Sequence, residues 1–423
     1  MNLMNLMNLI DINYIDECIL NLVNYTEKER PYTRLVFSDE FLDARNWLTQ
    51  KFKQLNLLIK TDYSGNLIGV YKSNKVNPKK IIIGSHIDTV VSGGRYDGIA
   101  GVVSGLAIIK SIIEQKIDLP FDIEIYDYLG EELNDWNMSC IGSRGLSGFL
   151  SDEMLNSKNS KGICLKDEIN RIGGNTKYIK KKSNELEDVL ACFELHIEQG
   201  VTLENNMVDI GIVQSMPNIS RHKIKIQGQA GHSGTTLMEN RKDALVIASR
   251  LILFINNLAK KYSLKDNRHF VATVGKIEVL PNYVTIIPSD VEFIIDFRVV
   301  NDSSRKNFLN DINNEILRLE KTEDLNINFQ DLMFSPYIEM SDLVNKILQK
   351  SATDLNYKFI KMDSGAGHDT AHLAKVSEAS IIFIPCKKGL SHCPEEFTEN
   401  INIKKGSEVI LKSILEFKDS FDS

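Results

Sequence analysis

The run Lys80–Ile87, KIIIGSHI, is apolar on both faces of a strand and carries a glycine, a serine and a histidine just before its last isoleucine. A strand of that kind is buried on both sides, which places it inside a sheet covered by helices on each face. The chain beyond it keeps the same grammar: a glycine-rich loop, helical spacing from Val102 to Ile113, and another apolar strand from Phe121 to Leu129. Leu67–Lys72 reads as a further strand, and Ile10–Leu58 has helical spacing, with Phe41, Ala44, Trp47 and Leu48 on one face. In open α/β sheets, ligands collect beyond the carboxyl ends of the strands. Polar residues of this chain cluster there, after Ile83 and after Tyr128.

A chain of 423 residues exceeds one comfortable core, so two domains are expected. From Val213 to Asp331 the pattern changes. HKIKIQGQ alternates strictly, a helix spans Arg241–Lys261, strands span Phe270–Val279 and Asp290–Val299, and a helix spans Ser304–Glu320. This predicts an α+β domain, two helices on a small four-stranded antiparallel sheet, inserted as a lid. A helix (Asp342–Leu355) and a buried strand (Ala379–Pro385) then resume the first pattern. The expected division is a catalytic domain of residues 1–212 and 332–423, interrupted by residues 213–331.

A net charge of −7 with no basic stripe argues against a nucleic-acid partner. No apolar run reaches the ~18 residues of a membrane span. The opening MNLMNLMNLI lacks a basic stretch and a small-residue cleavage site and runs into DINYIDE, so it does not read as a signal peptide. The six cysteines lack the spacing of a zinc knuckle or disulfide scaffold and read as reduced thiols. A cytoplasmic protein is expected.

Five motifs carry the chemistry. GSHIDTV (Gly84–Val90) offers His86, with Asp88 two positions on and on the same side of a strand end. There Asp88 can accept the second ring N–H of a metal-binding histidine. Read alone, such a pair fits a satisfied core histidine better. SGGRYDGIAGV (Ser92–Val102) flanks Asp97 with glycines whose freedom lets the carboxylate turn into a cleft, although an Asp serving its own turn fits equally well. YLGEEL (Tyr128–Leu133) sets Glu131 and Glu132 after an apolar strand, where uncompensated charge is costly and a cation relieves the cost. One of the pair can bind metal while its neighbour acts as general base toward the attacking water. FELHIEQG (Phe193–Gly200) supplies His196, and KKGLSHCPEEF (Lys387–Phe397) supplies His392. His86, Asp97, Glu132, His196 and His392 together suit two divalent ions per subunit, zinc or else manganese or cobalt. With Asp97 shared, each ion has two further ligands, the pattern of two-metal hydrolases.

In this order the motifs resemble the zinc-dependent amidohydrolase family of N-carbamoyl-L-amino-acid hydrolase, β-ureidopropionase and allantoate amidohydrolase, a branch of the dinuclear aminoacylase and carboxypeptidase superfamily. The resemblance runs from GSHIDTV through SHCPEE. It implies an α/β, mixed-sheet catalytic domain with an inserted lid, a homodimer built largely through that lid, Glu131 as catalytic base and Glu132 as metal ligand. It also implies that His232 of GQAGHSGTT (Gly228–Thr236) stabilises the oxyanion in the partner subunit's site. By the same resemblance Arg298 of IIDFR grips a substrate carboxylate. Gln199 of HIEQG and the loop SGAGHD (Ser364–Asp369), with Gly365, Ala366 and His368, would line the substrate. The implied reaction is hydrolysis of a linear amide or ureido C–N bond in a small N-substituted amino acid.

Plainer readings stand beside these. His232 can serve a turn, Arg298 can pair with Asp296 or Asp302, His368 can hold its loop, and Arg241 can anchor a helix. His222, His269 and His372 fall in no metal motif and read as structural or surface residues. An aminopeptidase, dipeptidase or N-acyl-amino-acid deacylase on the same scaffold is the rival enzyme, and a metal-free binding relative is the third possibility. Two stretches depart from the family: EELNDW stands where a Gly and an Arg-Phe pair follow the double Glu, and Thr285 of PNYVTIIPS stands where the family has a substrate-binding Asn. Both bear on substrate identity, not on hydrolysis.

Overall fold

The first helical stretch breaks into two helices, Ile12–Val23 and Asp39–Gln54. Each opens on a side-chain cap: Asp11 accepts from the N–H groups of Asn13 and Tyr14, and Ser38 from that of Phe41. Between them Pro31 has no N–H to give, and Tyr32 and Phe37 take positive φ, so Ile10–Leu58 cannot continue as one helix. The structure, a computed structural model, describes residues 9–179, 184–265 and 268–422. The Met-Asn-Leu repeat before Leu9 lies outside the described residues. The chain divides into two units, one of residues 1–214, 340–362 and 368–423, the other of residues 215–339 and 363–367.

In the larger unit the strands run, from one edge, Leu58–Thr61, Leu67–Tyr71, Asp122–Asp127, Lys80–Ser85, Val189–Ile197, Ala379–Ile384 and Ile210–Met216. The four from Asp122–Asp127 to Ala379–Ile384 are parallel, and antiparallel partners flank them, which makes a mixed α/β sheet. The helix Ile99–Glu114 is buried along most of its length against this sheet. It lies so close that a Cβ on Gly101 would stand 2.5 Å from the Leu195 carbonyl oxygen. That approach sets the start of the helix beside the strand that bears His196.

Two buried arginines fix the segment after Ser85. Arg45 Nε donates to Asp127 Oδ2 at 2.7 Å while Asp127 Oδ1 accepts the Ile87 N–H at 3.1 Å. Arg34 Nε donates to the Ile87 carbonyl at 2.6 Å, and its backbone N–H to Thr89 Oγ1 at 2.8 Å. Adjacent strand ends are thereby tied together where the polar motifs begin.

In the smaller unit four antiparallel strands lie in the order Asn326–Ser335, Asn218–Gln227, Asp290–Val299, Phe270–Leu280. Asp290–Val299 alternates buried and half-buried residues, and its apolar face packs with the helices Ala244–Lys265 and Asp302–Glu323. The edges of this unit differ from residues 213 and 331. Its last strand continues past Asp331 because Met333–Ser335 still pair with Ile219–Arg221. It also takes in Asp363–Gly367 from far along the chain, where the Ser364 N–H donates to the Ser215 carbonyl and Arg268 holds Asp363. Periodicity along a sequence carries no signal for such a return.

Candidate metal centre

The five expected ligands stand at the carboxyl ends of the parallel strands of the larger unit. His86 directly follows Ser85, His196 lies near the end of Val189–Ile197, and Glu131 and Glu132 follow Asp122–Asp127. Asp97 stands just ahead of the helix Ile99–Glu114, and His392 lies in the loop after Ala379–Ile384. Asp97 is at the middle. Its Oδ1 is 3.0 Å from His196 Nε2 and 3.6 Å from His86 Nε2, and its Oδ2 is 3.2 Å from His392 Nε2. Glu132 Oε1 is 3.4 Å from the same His392 nitrogen. The donor atoms form two groups, His86–Asp97–His196 and Asp97–Glu132–His392, each with all atoms within 4.8 Å of one another. Glu131 Oε2 lies 3.6 Å from His86 Nε2.

These residues fit a pair of divalent cations. His86 Nδ1 is 3.0 Å from the Asp88 carbonyl and His196 Nδ1 is 2.9 Å from the Ile197 carbonyl. A ring N–H directed to each carbonyl leaves Nε2 as the lone-pair donor toward Asp97. His86 Nε2 is buried without a hydrogen-bond partner, a state that costs roughly 1–3 kcal/mol unless something binds it. Gly98 makes the space: it takes φ +66°, and a Cβ there would come within 2.3 Å of that nitrogen.

The charges point the same way. Burial pushes the Glu131 carboxyl up to about 7, opposed by His86 and aided by Asp97 and Asp88. Burial, Asp97 and Glu131 raise Glu132 well above the usual carboxylate range. Burial also works against Asp97, but the surrounding imidazoles of His196, His392 and His86 outweigh it and hold that carboxyl well below its ordinary value. A divalent cation would relieve the cost of gathering these carboxylates in a buried place.

Asp88 differs from the expectation. Its carboxylate does not orient His86, which uses the Asp88 backbone carbonyl instead; the nearer carboxylate oxygen is 3.7 Å from His86 Nδ1. The two oxygens accept the backbone N–H groups of Glu131 and Glu132, each at 3.1 Å. Gln199, expected beside the substrate, donates to Asp97 Oδ2 at 2.6 Å and lies 3.1 Å from Ser391 Oγ. His368 packs its ring 4.4 Å from that of His196. It shares a third donor group with Glu194 and His196. Glu194, however, already accepts from Ser85 Oγ at 3.0 Å and from the N–H and hydroxyl of Thr370 at 3.1 and 2.5 Å.

The remaining expected residues belong to the smaller unit. Arg298 Nη1 donates to the Gly365 carbonyl at 3.0 Å, and its Nε is 3.3 Å from Asp296 Oδ1. The plainer pairing of Arg298 with Asp296 is thus present, while Arg221 holds the other oxygen, Oδ2, at 2.8 Å. Ala366 donates its N–H to Ser364 Oγ at 3.0 Å. His232 is exposed and accepts the Gly234 N–H at 3.0 Å, and Thr285, also exposed, accepts the Ser233 N–H on its carbonyl at 3.0 Å. Arg241 anchors this loop, not the helix: it donates to the carbonyls of Ser233 and Thr236 at 2.7 and 3.1 Å. His222 lies between the rings of Phe297 and Phe329, with Nδ1 2.8 Å from Asp331.

Sequence reasoning missed Glu396 and Ser391. Glu396 is fully buried; Oε1 accepts the N–H groups of Tyr96 and Asp97 at 2.9 and 3.0 Å. Ser391 Oγ lies between Glu396 Oε2 and Asp97 Oδ2, at 2.7 and 2.9 Å. One carboxylate thus joins the Asp97 loop to the His392 loop. The charge-burial argument applied to YLGEEL would have found it in CPEEF. Because partners of metal ligands commonly set affinity by about 10–100-fold, Glu396→Gln is expected to weaken metal binding within that range in competition with a chelating dye. An unchanged affinity would remove Glu396 from that task.

Comparisons with known proteins place the chain in a family. The family model described as peptidase family M20/M25/M40 matches residues 82–416. An uncharacterized hydrolase of Haemophilus influenzae is 34% identical over 410 residues, 96% of this chain and 98% of that protein. An N-carbamoyl-L-amino-acid amidohydrolase of Pseudomonas sp. is 32% identical over 390 residues, 92% of this chain and 94% of the relative. The crystal structure of an amidase of the hydantoinase/carbamoylase family from Burkholderia multivorans superposes with a TM-score of 0.88 at 27% identity, covering 97% of this chain and 98% of that one. The chain therefore belongs to peptidase family M20/M25/M40, in the branch of the N-carbamoyl-L-amino-acid amidohydrolases.

Proposed function

We propose that this protein hydrolyses the carbamoyl, ureido or other linear amide C–N bond of a small N-substituted amino acid, N-carbamoyl-L-amino acids and allantoate being the model substrates. The observation that carries the reading is Asp97, shared by two donor groups with Glu131 at their edge. Two divalent ions per subunit, zinc or else manganese or cobalt, supply an acidified water and a polarised carbonyl when bound by His86, Asp97, Glu132, His196 and His392. Glu131 takes the proton of the attacking water and returns it to the leaving nitrogen. Asp88 holds the Glu131 and Glu132 backbone for that exchange, and Gln199 steadies the shared carboxylate. Arg298 takes the substrate's carboxylate, with Gly365, Ala366, His368 and Thr285 around the rest of the substrate. His232 of the partner subunit stabilises the oxyanion in a homodimer whose inserted unit acts as lid and dimerisation surface. A carbamoyl substrate then yields an amino acid, ammonia and carbon dioxide.

No helix of the described residues is long and apolar enough to cross a membrane, and the six cysteines are unpaired. Both support a cytoplasmic setting. The test is a panel of N-carbamoyl, ureido, formyl and acetyl amino acids assayed for ammonia or acid release beside dipeptides. Expected is metal-dependent release from one carbamoyl or ureido acid and little dipeptide cleavage; the reverse preference would move the protein to the peptidases. In the same assay, His232→Ala mixed with Glu131→Gln is expected to regain activity that neither variant has alone, since one site of each mixed dimer is whole. No recovery would confine His232 to its own subunit.

A further inference from the structure

His269 immediately precedes the strand Phe270–Leu280, whose Phe270 pairs with Val299. Phe270 and Val299 both face the core of the smaller unit, so strand alternation places His269 and Arg298 on its other face. The loop Ser364–Gly367 meets both. Arg298 Nη1 donates to the Gly365 carbonyl at 3.0 Å, and a Cβ on Gly365 would come within 3.1 Å of His269 Cε1. His269 Nε2 is buried and has no hydrogen-bond partner. Burial holds this imidazole below its ordinary pKa, with Asp363 opposing and Arg298 adding to the effect.

A buried, unpartnered imidazole nitrogen beside a guanidinium is a pair that an anion completes, because the anion accepts from the nitrogen and adds to the cation's neutralisation. The acids already present are engaged elsewhere: Asp296 meets Arg298 Nε only at 3.3 Å and is held by Arg221 at 2.8 Å. Both carboxylate oxygens of Asp363 are held by Arg268 at 2.7 Å, and one also by Ser215 Oγ at 2.9 Å. We propose that His269 is a second donor to the substrate's carboxylate: its Nε2–H and the Arg298 guanidinium each take an oxygen of that group, so the protein selects acids over the corresponding amides. This rests on the reading of Arg298 as the carboxylate's anchor. An imidazole that only packs against Gly365 would treat acid and amide alike.

The test uses metal-loaded Glu131→Gln protein, which binds substrate without consuming it, with N-carbamoyl-L-alanine and its carboxamide as calorimetric probes. Adding His269→Ala is expected to raise the Kd of the acid by about ten- to hundredfold, as for loss of a hydrogen bond to a charged group, and to leave that of the carboxamide unchanged. His269→Gln, which keeps a donor at the end of the side chain, recovers most of the loss, and matching melting temperatures show that the fold is intact. Arg298→Ala is the reference. If it weakens the acid and His269→Ala does not, the role of His269 is overturned while the proposed function stands. If neither variant weakens the acid, both fall.

Discussion

A Glu131→Gln enzyme keeps its metal and loses turnover by about a thousandfold or more, the upper part of the range for removing a positioned proton-transfer group. The carboxylate stands 3.6 Å from His86 Nε2, beside one donor group and next in sequence to Glu132 of the other, without being a member of either. Metal content by elemental analysis, measured beside kcat, separates this from loss of the ions. Substantial remaining activity would remove Glu131 as the base. The same substitution is expected to stabilise the metal-free protein. A carboxyl raised from an ordinary value near 4.5 to about 7 on folding makes the folded state hold the extra proton between those limits, so stability falls as pH rises through that window. Glutamine has no such penalty. The gain in melting temperature is therefore absent below about pH 4.5, opens up to about pH 7 and is full above it. Loss of function with gain of stability is the signature of a group placed for chemistry.

Asp97→Asn is expected to empty the centre, not to weaken one half of it. Asp97 is the only residue in both donor groups that lie around it, and each of its oxygens faces different imidazoles. An amide leaves one oxygen and turns a donor toward the other side. Metal content should fall from two ions per chain to less than one, with activity at background. His392→Ala is the control. That imidazole is half exposed and belongs to the Asp97–Glu132–His392 group alone, so its loss should spare one ion. Asp97→Asn protein that retains one ion and measurable turnover would deny the shared role.

That the five candidate ligands would come together was legible in the sequence because each sits in a short motif near a strand end, where local pattern and global position coincide. Glu396 was not, although its motif was in view, because a residue that binds backbone N–H groups 300 positions away has no spacing to betray it. Asp88 was placed correctly in space and wrongly in bonding. Two positions from His86 on a strand end, it satisfies any rule for orienting that ring, yet its carbonyl does so and its carboxylate serves residues 43 and 44 positions away. The second unit was legible in its alternation from Asp290 to Val299, and its borrowed segment Asp363–Gly367 was not, since only folding brings it there.

Asp88 has one more consequence. Its carbonyl meets His86 of one candidate donor group, and its carboxylate holds the backbone of Glu131, the proposed base, and of Glu132 of the other group. A small drift of this residue therefore moves the three in company and leaves the distances among them nearly unchanged. The arrangement is in this sense self-aligning: errors that reach it through Asp88 are common to His86, Glu131 and Glu132, and largely cancel.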